Sequence, residues 1–116
     1  MINTATLFTV REVSGICVVA FAPETELHTN VCSQIMERMN PGKHLVLDLE
    51  HVTFASVGFF AELFRLKKKL TGNNQNLAIC NAEGAPFEFF KINPHSYVHL
   101  NIKPKLEQAL VAVQDK

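Results

Sequence analysis

The segment HLVLDLEHVTFASVGFF, residues 44–60, decides the fold. Leu45, Val46, Leu47 and Leu49 form an apolar run broken only by Asp48. A strand with one wet face alternates, whereas a strand covered on both faces does not. Leu45 to Glu50 is therefore expected to be the central strand of a mostly parallel sheet. A carboxylate on such a strand needs hydrogen-bond donors, and loop N–H groups supply them, so Asp48 is expected to pin the loop that presents Ser56. That loop, Thr53 to Gly58, hands over to a helix predicted from Val57 to Leu70. Phe59, Leu63, Leu66 and Leu70 share one face of it, and Phe60 and Phe64 widen that face. Ser56 stands at the N-cap, where its oxygen accepts an early helical N–H. Lys67, Lys68 and Lys69 fall in the expected last turn, where cations match the helix dipole, a reading preferred to a phosphate-binding patch, and Thr71-Gly72-Asn73 ends the helix.

Outward from this segment the elements alternate. Thr6 to Val13 and Ile16 to Phe21 are β-rich and flank Ser14-Gly15, a predicted hairpin that adds an antiparallel edge. Glu26 to Asn40 carries Leu27, Val31, Ile35 and Met39 at helical spacing and is closed by Pro41-Gly42. Downstream, Leu77 to Cys80 reads as a strand, Pro86 to Ile92 as a short helix stopped by Pro94, and Tyr97 to Leu100 as a last strand. A final helix begins near Pro104 and carries Leu106, Leu110 and Val113. The expected order is β-β-α-β-α-β-α-β-α: an α/β fold of about four helices with right-handed crossovers. No linker or repeat interrupts residues 1–116, which read as one domain.

Composition narrows the function. The 116 residues are 47% apolar and 19% charged, and eleven bases balance eleven acids. This balance leaves no electrostatic footprint for nucleic acid. No run approaches the roughly 20 apolar residues of a membrane span, and no secretory signal is visible, so a cytoplasmic address and no membrane insertion are expected. Cys17, Cys32 and Cys80 are unpaired in spacing and are expected to be reduced, packed thiols with no metal site. The five glycines form no phosphate-binding loop, and Ala55-Ser56-Val57 is not a nucleophile elbow. No cofactor is indicated. His28, His44, His51, His95 and His99 lack metal-ligand spacing and read as surface or packing residues. Ser56 keeps two readings, a plain N-cap and a phosphoacceptor whose phosphate would meet the positive end of the helix dipole.

The run from His44 to Phe60 resembles the signature of STAS domains, the fold of bacterial anti-sigma factor antagonists. In that family a V-L-D-L-x-x-V-x-F strand leads into D-S-S/T-G-L at a helix start. The match puts Asp48, Leu49, Val52, Phe54, Ser56 and Gly58 on family positions. Glu26-Leu27-His28-Thr29 resembles the family's loop before its first helix, and Leu106 to Leu110 its closing helix. The resemblance implies that Ser56 is phosphorylated by a serine kinase that is also an anti-sigma factor, and that a phosphatase reverses this. It places partner contacts at Glu26, Thr29, Phe54, Ala55, Val57, Gly58 and Phe60. Ala55 stands where the family has Asp, Val57 where it has a second Ser or Thr, and Phe59-Phe60 where it has Leu-Gly. Loss of the carboxylate removes a polar group from the docking surface.

Two functions follow. One is a non-enzymatic module that binds a protein partner and is switched at Ser56. The other is a constitutive, non-phosphorylated STAS subunit of a transporter or signalling complex, which Ala55 favours. An enzyme using Ser56 or a cysteine would need a matched base, and none stands at readable spacing.

Overall fold

The computed structural model describes residues 8–39, 42–92 and 100–114. Its main sheet has five strands: β1 (Phe8–Val13), β2 (Ile16–Phe21), β4 (Leu45–Asp48), β6 (Leu77–Cys80) and β7 (Ile102–Lys103), in the order β1-β2-β4-β6-β7. β1 pairs antiparallel with β2, with Phe8 opposite Phe21 and Val13 opposite Ile16. Ser14 and Gly15 close this hairpin with φ of 53° and 80°. A tight two-residue turn needs both in the left-handed region to match the twist of the strands. The β2–β4, β4–β6 and β6–β7 pairs are all parallel. β4 is thus central, as the unbroken apolar run predicts, and its four residues are all buried.

The side chains of the inner strands sort by size. Cys17, Val19, Leu45, Leu47, Leu77 and Ile79 point into a large core shared with α1 (Val31–Arg38), α2 (Val57–Gly72) and Phe90 of α3 (Ala85–Ile92). Their neighbours Val18, Val46, Ala78 and Cys80 point the other way and meet Ala109 and Val113 of α4 (Leu106–Gln114). The smaller residues lie on the face that α4 covers, which lets this helix approach the sheet closely.

A further parallel pair lies apart from this sheet: β3 (Thr25–Leu27) and β5 (Val52–Ala55). It corrects two expectations. Glu26 and Leu27 are not helical, because Thr25, Glu26 and Leu27 alternate buried, exposed, buried. Asn30 at φ 77° then breaks the chain before α1 begins at Val31. The stretch before Ser56, read as loop, is also a strand. α2 runs two residues past Leu70, so Lys69 is the base of its last turn and Lys67 and Lys68 lie farther in. The last strand is Ile102–Lys103, while the expected Tyr97 to His99, together with Pro94, lies outside the described residues. Pro104 precedes α4 rather than opening it, and its carbonyl accepts the Asn81 N–H. All three cysteines are buried and free.

Candidate functional site

The β3–β5 pair brings two distant stretches of sequence to the N-terminus of α2. Glu26 pairs with Phe54 and Leu27 with Ala55, and the Ser56 N–H donates to the Leu27 carbonyl at 2.8 Å. Ser56 thereby leaves the strand in an extended conformation (φ −77°, ψ 161°), and its Oγ accepts the Phe59 N–H at 3.1 Å. The N-cap expectation holds in detail. The residue is partly exposed, and its carbonyl accepts the Phe60 N–H at 3.2 Å.

Gly58 explains why this corner is tight. A Cβ on it would stand 2.5 Å from Cγ2 of Thr29, closer than carbon atoms approach one another, so Gly58 and Thr29 interlock. The same loop is held a second time, by the Asn30 N–H donating to Oε1 of Glu62, one turn further along α2, at 2.9 Å. Sequence reading missed Glu62, because its partner is 32 positions away and the acceptor role leaves no local pattern.

The rim of the corner is apolar and exposed. Phe54 is 43% accessible and Val57 78%. The His28 ring lies 5.6 Å from that of Phe54, and His28 Nε2 is 3.3 Å from Glu26 Oε1. Glu26 of β3 and His28, just past its end, lie on one side of the chain, as their contact shows. Phe60 does not belong to this surface. Its ring is 2% exposed and packs edge-on against Phe59 and Phe90 at 5.6 and 5.3 Å. One helical position turns it inward toward α3, so the expected contact role is corrected to core.

Asp48 supports the site from below. Its Oδ1 accepts the Glu50 N–H and the Asn81 side-chain amide, each at 3.1 Å. It therefore fastens the β4–β5 turn to the loop after β6, rather than reaching the Ser56 loop directly. His44 accepts the Asn76 N–H at Nδ1, 2.9 Å, a packing role. Among the described residues no cluster of His, Cys, Asp or Glu has the makings of a metal site, and no helix is long and apolar enough to cross a membrane. Burial pushes the thiols of Cys32 and Cys80 up to about 12, with the carboxylates Glu62 and Asp48 respectively adding to the effect. Neither is a nucleophile at neutral pH.

No family model and no curated protein matches the chain. Solved structures do. An anti-sigma factor antagonist from Mycobacterium paratuberculosis is 22% identical, with a TM-score of 0.71 over 93% of each chain. An anti-sigma-factor antagonist (STAS) domain protein from Planctomyces limnophilus is 18% identical, with a TM-score of 0.74 over 91% of this chain and 96% of that one. The fold is that of a STAS domain. The murine Solute Carrier 26 family member A9 anion transporter also contains it: at 14% identity and a TM-score of 0.68, 91% of this chain matches 19% of the transporter. The alternation of strands and helices expected from the sequence is present with β3 and β5 added, and Ser56 stands where the extended strand β5 turns into α2.

Proposed function

We propose that this chain is a regulatory interaction module with no chemistry of its own, which binds a protein partner at the corner formed by β3, β5 and the start of α2. The observation that carries this is the pairing of a partly exposed N-cap hydroxyl, Ser56, with a flanking apolar rim, Phe54 and Val57. Large exposed apolar side chains beside a polar group are what a protein interface needs at its centre. Likeness to anti-sigma factor antagonists supports a kinase or anti-sigma-type partner. Glu26 and Thr29 border the same corner, and Ala55, Val57 and Gly58 line its backbone.

Ser56 is the switch in this reading. A phosphate there adds about 1.5–2 negative charges at the positive end of a 16-residue helix, and it meets the apolar rim that a partner must touch. Ser56→Asp is expected to release the partner and Ser56→Ala to keep it, read by capture from native cells and by a phosphopeptide covering Ser56. Equal capture by both variants, with Ser56 unmodified, selects the second reading, a constitutive subunit of a larger assembly. Ala55, which offers no carboxylate to a kinase, and the likeness to a domain within an anion transporter favour that second reading.

A further inference from the structure

The outer face of α2 carries a stripe that the core does not use. Val57, Ala61, Phe64 and Lys68 are all exposed, Val57 at 78% and Phe64 at 38%. At 100° per residue they fall within an arc of about 60°, so they form one line along the helix. Ala61, the smallest, lies at its middle. Val57 and Phe64 lie about 6 and 4.5 Å from it in opposite directions, and Lys68 about 10.5 Å away. Beyond the N-terminal end of the stripe come Phe54 and its strand neighbour Glu26.

Charge divides along the same line. The N-terminal end is bordered by the exposed acid Glu26, opposite Phe54 on the neighbouring strand, and the C-terminal end carries the exposed base Lys68. Lys68 has no ion-pair partner among the described residues. The chain as a whole has zero net charge, so two copies do not repel at long range.

We propose that this face binds a second copy of the chain, the two α2 helices running antiparallel about a twofold axis at Ala61. A twofold contact requires a self-complementary surface, and this one is. Val57 of each copy meets Phe64 of the other, the alanines allow close approach at the crossing, and each Lys68 reaches the Phe54 ring and Glu26 carboxylate of the other copy. A parallel arrangement sets acid on acid and base on base. The proposal goes beyond the partner-binding reading, because a second copy seated there covers the rim beside Ser56. Self-association and partner binding then exclude one another.

Sedimentation from about 1 to about 500 µM tests it, a range that reads micromolar self-association. Wild type is expected to rise from 13.0 kDa toward twice that mass. Lys68→Glu and Glu26→Lys are each expected to weaken the dimer at least about tenfold. A Glu26→Lys chain carries only bases at the two contact positions and a Lys68→Glu chain only acids, so an equimolar mixture of the two is expected to dimerise again. Wild type that stays monomeric, dimers indifferent to both reversals, or a mixture no better than its components overturns the proposal. If Glu26→Lys melts early, Val57→Asp replaces it, since an acid suits the first turn of a helix; wild-type dimerisation by that chain overturns the proposal equally. Loss of self-association leaves the Ser56 reading standing, and insensitivity of partner capture to Ser56→Asp leaves the dimer standing.

Discussion

Gly58 and Phe60 sit two residues apart and show how much one position on a helix decides. Gly58→Ala gains about 1 kcal/mol of helix propensity, yet its Cβ overlaps the Thr29 methyl, spaced at 2.5 Å. Overpacking of this kind costs about 1–3 kcal/mol, so a net loss of about 1 kcal/mol is expected in urea unfolding. Thr29→Ser removes that methyl, and the double variant is expected to be more stable than Gly58→Ala alone, a coupling that a double-mutant cycle reads directly. Phe60→Ala empties part of the core between α2 and α3 and is expected to cost about 3–5 kcal/mol, with a large fall in Tm. The thiols make a pH prediction. Cys32 and Cys80 hold their protons to about 12 in the folded chain, against 9.0 when unfolded. Above pH 9 the unfolded state therefore binds fewer protons than the folded one. Stability is full below pH 9 and falls by up to about 1.4 kcal/mol per thiol for each further pH unit, until the folded thiols titrate. Urea midpoints measured at pH 8 and pH 10 check the sign, and a thiol reagent at pH 8 is expected to find three free thiols only after unfolding without reductant.

At the level of elements, the sequence was most legible where side-chain pattern and burial coincide. The run Leu45 to Leu49 named the central strand, and Phe59, Leu63, Leu66 and Leu70 named the buried face of α2. Ser14-Gly15 and Ser56 declared a turn and a cap through their own chemistry. The β3–β5 pair stayed hidden because three or four residues are too few for a period. Leu27 also happens to stand four residues before Val31, so it mimicked the next helix. The resemblance puts Glu26 and Thr29 beside Ser56, but the strand pairing that brings them there became visible only in three dimensions. Phe60 was ambiguous for a related reason: its inward direction depends on α3, whose ring partner Phe90 is 30 residues away in sequence. Asp48 links elements in the same way. Asp48→Ala leaves the Glu50 N–H and the Asn81 amide without their acceptor. The expected cost is about 1–3 kcal/mol in unfolding, with faster amide exchange in the β4–β5 turn.

Over the whole molecule, the two faces of the sheet are unequal. Among the described residues, α1, α2 and α3 cover one face with bulky residues beneath them, and α4 covers the other over Val46, Ala78 and Cys80. The side of α1, α2 and α3 is also the side where β3, β5 and the start of α2 assemble the Ser56 corner, so the candidate surface rests on the larger core cluster. The exposed α2 stripe belongs to the same side. In the proposed reading, a partner at Ser56 meets a rim backed by the buried residues Leu27, Val52 and Phe59, which suits recognition of a preformed surface.

The Ser14-Gly15 hairpin has a consequence for how the chain reaches this state. Every parallel pair in the sheet waits for an intervening segment to fold back, and loop closure makes such pairings slow. The β1–β2 pair needs only a two-residue reversal, and hairpins of this kind form in about 1–10 µs. It also carries Cys17, Val19 and Phe21 on the face that α1 and α2 later cover, and its β2 edge is the one that β4 joins. An early hairpin offers β4 a ready edge, so the antiparallel margin of the finished sheet is expected to be the template from which its parallel centre grows, an order that φ-values at Val19 and Leu47 check.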